Sequence, residues 1–321
     1  MVDTVKTVKS SGGDYSSLSA WEAGQQKVIS AGDSEQAECY SFSDTTQLII
    51  DGWTTAADAY IRIYVASGER HAGKWDSTKY RLESTASNNI LENYVRFEGL
   101  QISLNSALTF RYALNFTGAA SNVDGCLVDG CIVRNVGSGT DQIGIRIFGG
   151  SVENIIRNSL VYDFISTGST GMTAVMVSNT SRMDNNTVQN CTSGFTTSYL
   201  DTIIRNCLAS GCTNGFTTVG DWATGSNYNA SDLAADAPGA NSRNSQTFTF
   251  VDAANDDFHL ASTDTGALGF GTDLSATFTT DIDGETRTGS WDIGADEYAA
   301  GGVAASLPPI TRSFPPALLA M

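Results

Sequence analysis

The sequence predicts an all-β chain built as a single-stranded parallel β-helix, a solenoid in which short strands and turns stack coil upon coil. Two tracks of repeats predict it. The first is a six-fold phrase: Val95-Arg-Phe-Glu-Gly99, Cys126-Leu-Val-Asp-Gly130, Asn154-Ile-Ile-Arg-Asn158, Arg182-Met-Asp-Asn-Asn186, Thr202-Ile-Ile-Arg-Asn206 and, more weakly, Thr224-Gly-Ser-Asn227. Each full copy ends on Gly or Asn, the residues that most easily accept a left-handed backbone. The second track is Ala113-Leu-Asn-Phe116, Gly144-Ile-Arg-Ile-Phe148, Thr173-Ala-Val-Met-Val177, Gly194-Phe-Thr-Thr197 and Gly215-Phe-Thr-Thr218. The closing residues of the first track recur at intervals of 31, 28, 28, 20 and 21 residues. Such a period holds two or three short strands and their turns but no helix of ordinary length.

Stacking places equivalent residues about 4.8 Å apart. Gly99, Gly130, Asn158, Asn186, Asn206 and Asn227 then line one corner, where asparagine side chains can also bond along the column. One place earlier, Glu98, Asp129, Arg157, Asn185, Arg205 and Ser226 form an exposed polar column, with Asp129 beside Arg157. Phe97, Val128, Ile156 and Ile204 point inward as an apolar ladder, which Asp184 breaks, so the fourth copy is shifted or bulged.

Four segments divide the chain: 1–37, an N-terminal strand and capping helix; 38–245, the β-helix; 246–300, a closing β module; and 301–321, a tail. Val5 and Val8 suggest the first strand. Ser17 or Ser19 caps a helix running through Ile29, with Ser19 and Glu22 at capping-box spacing. That helix covers the open lower end of the coil. Leu48-Ile-Ile50, Tyr60-Ile-Arg-Ile-Tyr64 and Tyr80-Arg-Leu82 read as early rungs. Between them lie Arg70, His71, Lys74 and Trp75, either a ligand loop for a sugar or acidic group, or a structured loop whose tryptophan packs on the rungs. Asp281-Ile-Asp283-Gly-Glu285 offers carboxylates suited to calcium but lacks an EF-hand's length, and a turn with left-handed Gly284 is the preferred reading.

In the tail, Val303 to Met321 holds four of the five prolines and one charged residue, Arg312. Leu307, Ile310, Phe314, Leu318 and Leu319 cannot form a core alone. The prolines favour an extended path, so the segment reads as a peptide that docks on another subunit.

Composition narrows the function. Net charge is −17 with a pI near 4.3. Nucleic-acid binding needs basic residues to neutralise phosphates, so it is excluded, and general affinity for polyanionic sugars is disfavoured. Six cysteines without a Cys-x-x-Cys pair, and just two histidines, His71 and His259, point to reduced core thiols and no metal or other cofactor. No run is long enough for a membrane span, and the first residues lack the apolar core of a signal peptide. For catalysis the best carboxylate pair is Glu98 with Asp129, stacked at about 5 Å, a weak candidate without an accompanying base.

The C-terminal phrases Asp257-Phe-His-Leu260, Thr280-Asp-Ile-Asp-Gly284 with Arg287, and Asp292-Ile-Gly-Ala-Asp-Glu-Tyr298 resemble the closing module of bacterial and phage right-handed β-helix proteins of the pectate-lyase-like superfamily. Gly13-Asp-Tyr-Ser-Ser-Leu-Ser-Ala-Trp21 resembles that group's N-terminal cap. The resemblance implies a right-handed coil and allows several functions: lyases, hydrolases, adhesins and virion spikes. It also allows a homotrimer, although no coiled-coil heptads occur. The expectation is a non-enzymatic structural protein of a phage-like virion, assembled in the host cytoplasm and attached to other subunits through residues 303–321. The alternative is a β-helix protein that binds or degrades carbohydrate, with a surface glycan as partner.

Overall fold

The computed structural model describes residues 2–118, 123–165, 173–198, 201–218 and 220–299. It is a right-handed parallel β-helix with three long sheets. The first holds eight strands: Asp3–Val8, Ser34–Cys39, Tyr60–Val65, Val95–Glu98, Leu127–Asp129, Asn154–Arg157, Ser181–Asp184 and Thr202–Arg205. A seven-stranded second sheet carries the second repeat track, and an eight-stranded third sheet lies between the two along the chain. Asp3–Val8 pairs in parallel with Ser34–Cys39, so coiling starts with the first strand.

Inside, Ile63, Phe97, Val128, Ile156, Met183 and Ile204 stack in register, all buried. Met183 therefore occupies the place the repeat assigned to Asp184. The fourth copy is shifted by one residue, and its corner is Asn185 (φ 49°), not Asn186. The sixth is shifted by one residue the other way: Asn227 bridges Arg205, and Tyr228 (φ 56°) turns the corner. Asn186 instead points inside, where its Oδ1 accepts from Ser159 N at 3.1 Å and its Nδ2 donates to Ile156 O at 2.8 Å. It pairs backbone groups of the coil below, which would be costly to leave buried and unmet.

Aromatic residues close both ends of the core. At the lower end the helix Leu18–Gln25 buries Leu18 and Trp21, and Trp21 stacks on Trp53 at 5.6 Å. Ser17 is its cap, accepting from Ala20 N at 3.1 Å. The helix stops short of Ile29 because Ile29 N bonds Thr54 O of the next coil, at 3.0 Å. At the upper end Phe195 stacks on Phe216 at 5.2 Å, and Trp222 meets Phe216 edge-on.

The closing module does not sit on an end. Its antiparallel hairpin, Phe250–Asp252 with Asp257–Leu260, folds back along the flank of the coil. Phe258, Ile282 and Ala295 pack on Ile132, Leu160 and Tyr162, outward residues of the third sheet. Leu260, Ala267 and Ile293 pack on Leu208 and Ala230. The tail lies outside the described residues. Among the described residues no helix is long and apolar enough to cross a membrane.

Candidate functional site

Alternation along the first sheet sends every second side chain outward. On its lower coils these are Glu38, then Tyr60, Arg62 and Tyr64, then Arg96 and Glu98. The Arg96 guanidinium lies 3.5 Å over the Tyr60 ring, and Arg62 lies 4.1 Å over Tyr64. Lys9 sits 3.7 Å over Tyr40. Glu38 accepts from the hydroxyls of Tyr40, at 2.8 Å, and Tyr64, at 3.3 Å. Burial and then Glu38 push the Tyr64 phenol upward, and its bond to Glu38 raises Tyr40, so both stay hydrogen-bond donors. These rings are half-buried, each with one face backed by a cation.

Glu98 and Asp129 are in-register neighbours on this face. Glu98 turns down to Arg62, at 3.0 Å from Nε, while Asp129 turns up to Arg157, at 2.8 Å. Each carboxylate has an arginine partner, so the pair lacks the contrast of environments that separates an acid from a base. The polar column is also less open than its pattern suggests: Arg157 and Asp129 are each 20% exposed, and Arg157 lies over Phe278 of the closing module. Asp184, not Asn185, continues the column, and it is clasped by Arg182 and Arg205 at 3.0 and 2.8 Å.

The Arg70–Trp75 loop lies against the closing module. Arg70 passes over the Gly99 and Gly130 corners and donates to Gly130 O, at 3.3 Å, and Ile282 O, at 3.0 Å. His71 is 2% exposed; its Nε2 donates to Gly130 O at 2.9 Å while Nδ1 accepts from Gly73 N at 3.2 Å, which fixes a neutral ring. Burial and then Arg70 hold its pKa well below the usual 6.5. Lys74 pairs with Asp257 at 3.0 Å, and Trp75 takes Arg134 on its face at 3.7 Å. All four residues therefore serve the seam between coil and module.

The rest of that seam is a charge cluster. His259 Nδ1 bonds Asp257 at 2.5 Å and Nε2 bonds Asp283 at 3.1 Å. Burial opposes charge on this ring, but Asp283, then Asp296 and Asp257, outweigh it and lift its pKa to about 10. Burial raises Asp281 to about 7, and Asp292 and Asp296 to about 6. Arg287, with a fully buried side chain, joins Glu297 at 3.1 Å and donates to Asn158 Oδ1 and the carbonyls of Gly294 and Ala295. Three ligand atoms from His259, Asp283 and Asp296 lie within 4.8 Å of one another, a set a divalent cation could use. In the protonated cluster the imidazolium already bridges Asp257 and Asp283. Asp281 caps its own turn, accepting from Asp283 N and Glu285 N at 3.0 and 2.8 Å, with Gly284 left-handed.

No protein-family model matches the sequence, and no curated protein sequence matches it. Among solved structures, the chain is similar to a mannuronic acid specific polysaccharide family 6 lyase from human gut microbiota, with a TM-score of 0.47 and 14% identity over 70% of this chain and 52% of that one. It is also similar to pectate lyase Pel9A, with a TM-score of 0.30 and 12% identity over 93% and 97% of the two chains. The chain thus spans about half the length of the first of these. Both likenesses concern shape.

Arg70, His71, Lys74 and Trp75 group together in the sequence because they are neighbours, and the stacked columns begin only at Val95. The aromatic face escapes both groupings because Tyr40, Tyr60 and Tyr64 precede the recognised repeats. The available signal was Tyr60-Ile-Arg-Ile-Tyr64, which alternates inward Ile with outward Tyr and Arg.

Proposed function

We propose that this β-helix protein binds carbohydrate, with a saccharide lying along the outward face of the first sheet. The observation that carries the reading is the set of Tyr40, Tyr60 and Tyr64, each with a cation over its ring. Tyrosine offers an apolar ring for a sugar's carbon face and a hydroxyl for its rim. Glu38, Glu98, Arg62 and Arg96 supply both donors and acceptors, and their signs balance. A neutral or weakly charged glycan suits this face and the chain's overall charge of −17 better than a polyanion. With both carboxylates paired to arginines, binding rather than hydrolysis is the favoured activity.

A glycan array identifies the ligand, and titration of Tyr60→Ala and Tyr64→Ala measures its site. Each substitution is expected to weaken binding about tenfold, equal to about 1.4 kcal/mol. Asp256→Ala, which sits against Arg134 and Tyr162 of the third sheet, leaves it unchanged. Unaltered affinity in both tyrosine variants, or release of reducing sugar, overturns the reading.

A second reading follows from the Pro-rich apolar tail: a structural component of a phage-like particle, attached through residues 303–321. Its test is co-purification with particles, lost on deleting residues 301–321.

A further inference from the structure

Cys191 and Cys212 occupy the same place in successive coils. Residues 190–192 join the strands Thr187–Gln189 and Ser193–Thr197, and residues 211–213 join Leu208–Ser210 and Asn214–Thr218. The flanking strands are in register, Gln189 opposite Ser210 and Ser193 opposite Asn214. The connections are equally long and bonded to each other, with Thr213 N donating to Cys191 O at 3.1 Å and Asn190 N to Ser210 O at 2.9 Å. Cys191 is therefore one rung below Cys212. Their side chains share a conformation, each thiol directed at the carbonyl two residues earlier, at 3.2 Å for Cys191 and 3.5 Å for Cys212. The rung spacing of about 4.8 Å falls inside the Cα separation a disulfide spans, about 4.4–6.8 Å.

The other cysteines lack such a partner. Cys131 and Cys207 share a column, but Ser159 and Asn186 stand between them, putting them about 14 Å apart where a bridge reaches about 7 Å at most.

We propose that Cys191 and Cys212 form an intrachain disulfide by exchange with a small-molecule disulfide such as oxidised glutathione, clamping two adjacent upper coils together. The Cys191 thiolate attacks one glutathione sulfur and expels a glutathione thiolate. The Cys212 thiolate then attacks Cys191 Sγ in the mixed disulfide and expels the second. Two protein thiols lose their protons, one protein S–S bond forms, and the S–S bond of glutathione is reduced to two thiols. Both side chains are nearly enclosed, 3% and 6% exposed, and burial followed by contact with Cys212 raises the Cys191 thiol well above its usual range. Exchange is accordingly slow at neutral pH and faster at alkaline pH. The clamp would hold together the Phe195 and Phe216 coils on which Trp222 closes the core.

The test uses the full chain, oxidised natively at pH 8.5 or refolded from denaturant in a glutathione redox buffer. Thiols are then counted in denaturant and bridged peptides mapped without reduction. The six thiols are expected to fall to four by at least one route, with Cys191 linked to Cys212 and the thermal midpoint raised by about 5 °C. Cys131→Ser should retain the bridge, whereas Cys191→Ser should lose it and keep all its thiols. Six thiols by both routes, or a bridge to any other cysteine, overturns the proposal.

Discussion

At Gly99 and Gly130 the left-handed corner is bare backbone, and Arg70 lies across it. At Asn158, Asn185 and Asn206 the same turn carries a side chain, and the closing module hangs from it. Asn185 donates to the carbonyls of Asp292 and Gly294, both at 3.0 Å, and Asn206 exchanges bonds with Thr272 at 2.8 and 2.9 Å. Asn158 accepts from Arg287. Backbone conformation explains why these five corners hold only Gly and Asn, with Tyr228 taking the same left-handed turn above them. What covers each corner explains which of the two is present. A Cβ on Gly130 would collide with the Arg70 guanidinium, whereas bare corners in the upper half would leave module carbonyls unpaired.

The largest effect should come from the arginine that fastens the asparagine half. Arg287→Ala strands Glu297 and several carbonyls beneath the surface and is expected to cost about 3–5 kcal/mol. Urea denaturation measures the loss, and proteolysis should cut first within residues 246–299. Arg287→Lys keeps the charge but not the planar fork, so it should recover only part. A cost under about 1 kcal/mol would mean that the module is held by its apolar contacts and the Asn185 and Asn206 bonds without help from Arg287.

The glycine half predicts a smaller, conditional effect. Gly130→Asn preserves access to the left-handed conformation, so its expected cost of about 1–2 kcal/mol comes from displacing Arg70. In an Arg70→Ala background that cost should shrink to a few tenths of a kcal/mol, a coupling a double-mutant cycle reads directly. Equal costs in both backgrounds would show that conformation alone selects glycine.

Most of the architecture was legible in the sequence because coil, corner and inward ladder are periodic, and periodicity survives without coordinates. The frame at the fourth and sixth copies was not. Asn185-Asn186 and Asn227-Tyr228 each offer adjacent residues able to turn the corner, and only the burial of Met183 in the ladder, or the Asn227–Arg205 bridge, decides. The seam was illegible for a different reason. Lys74 and Asp257, or Asn158 and Arg287, meet across long sequence separations, with no repeat to align them. A composition cue did exist: Arg70, His71, Lys74 and His259 are cations or rings in an acidic chain, and each found a carbonyl or carboxylate in this seam.

Acidity should separate the two sides of the seam with opposite signs. In the closing module, His259 rises from 6.5 to about 10, Asp281 from 3.8 to about 7, and Asp292 and Asp296 from 3.8 to about 6. Raised values mean the folded state binds more protons, so this stabilisation is complete below the unfolded values and fades as pH climbs through the folded ones. The carboxyls lose theirs between about pH 4 and 7 and His259 between about 6.5 and 10. In the Arg70–Trp75 loop His71 falls below 6.5, so its contribution is present above that value and lost as pH drops. The penalty of His259→Gln, read as a thermal midpoint difference of about 5 °C at pH 6, should therefore vanish toward pH 10. The penalty of His71→Gln should be largest near pH 8 and smaller at pH 5. Parallel slopes for the two variants would mean that both histidines report one cooperative unit and that loop and module do not differ in what protonation does to them.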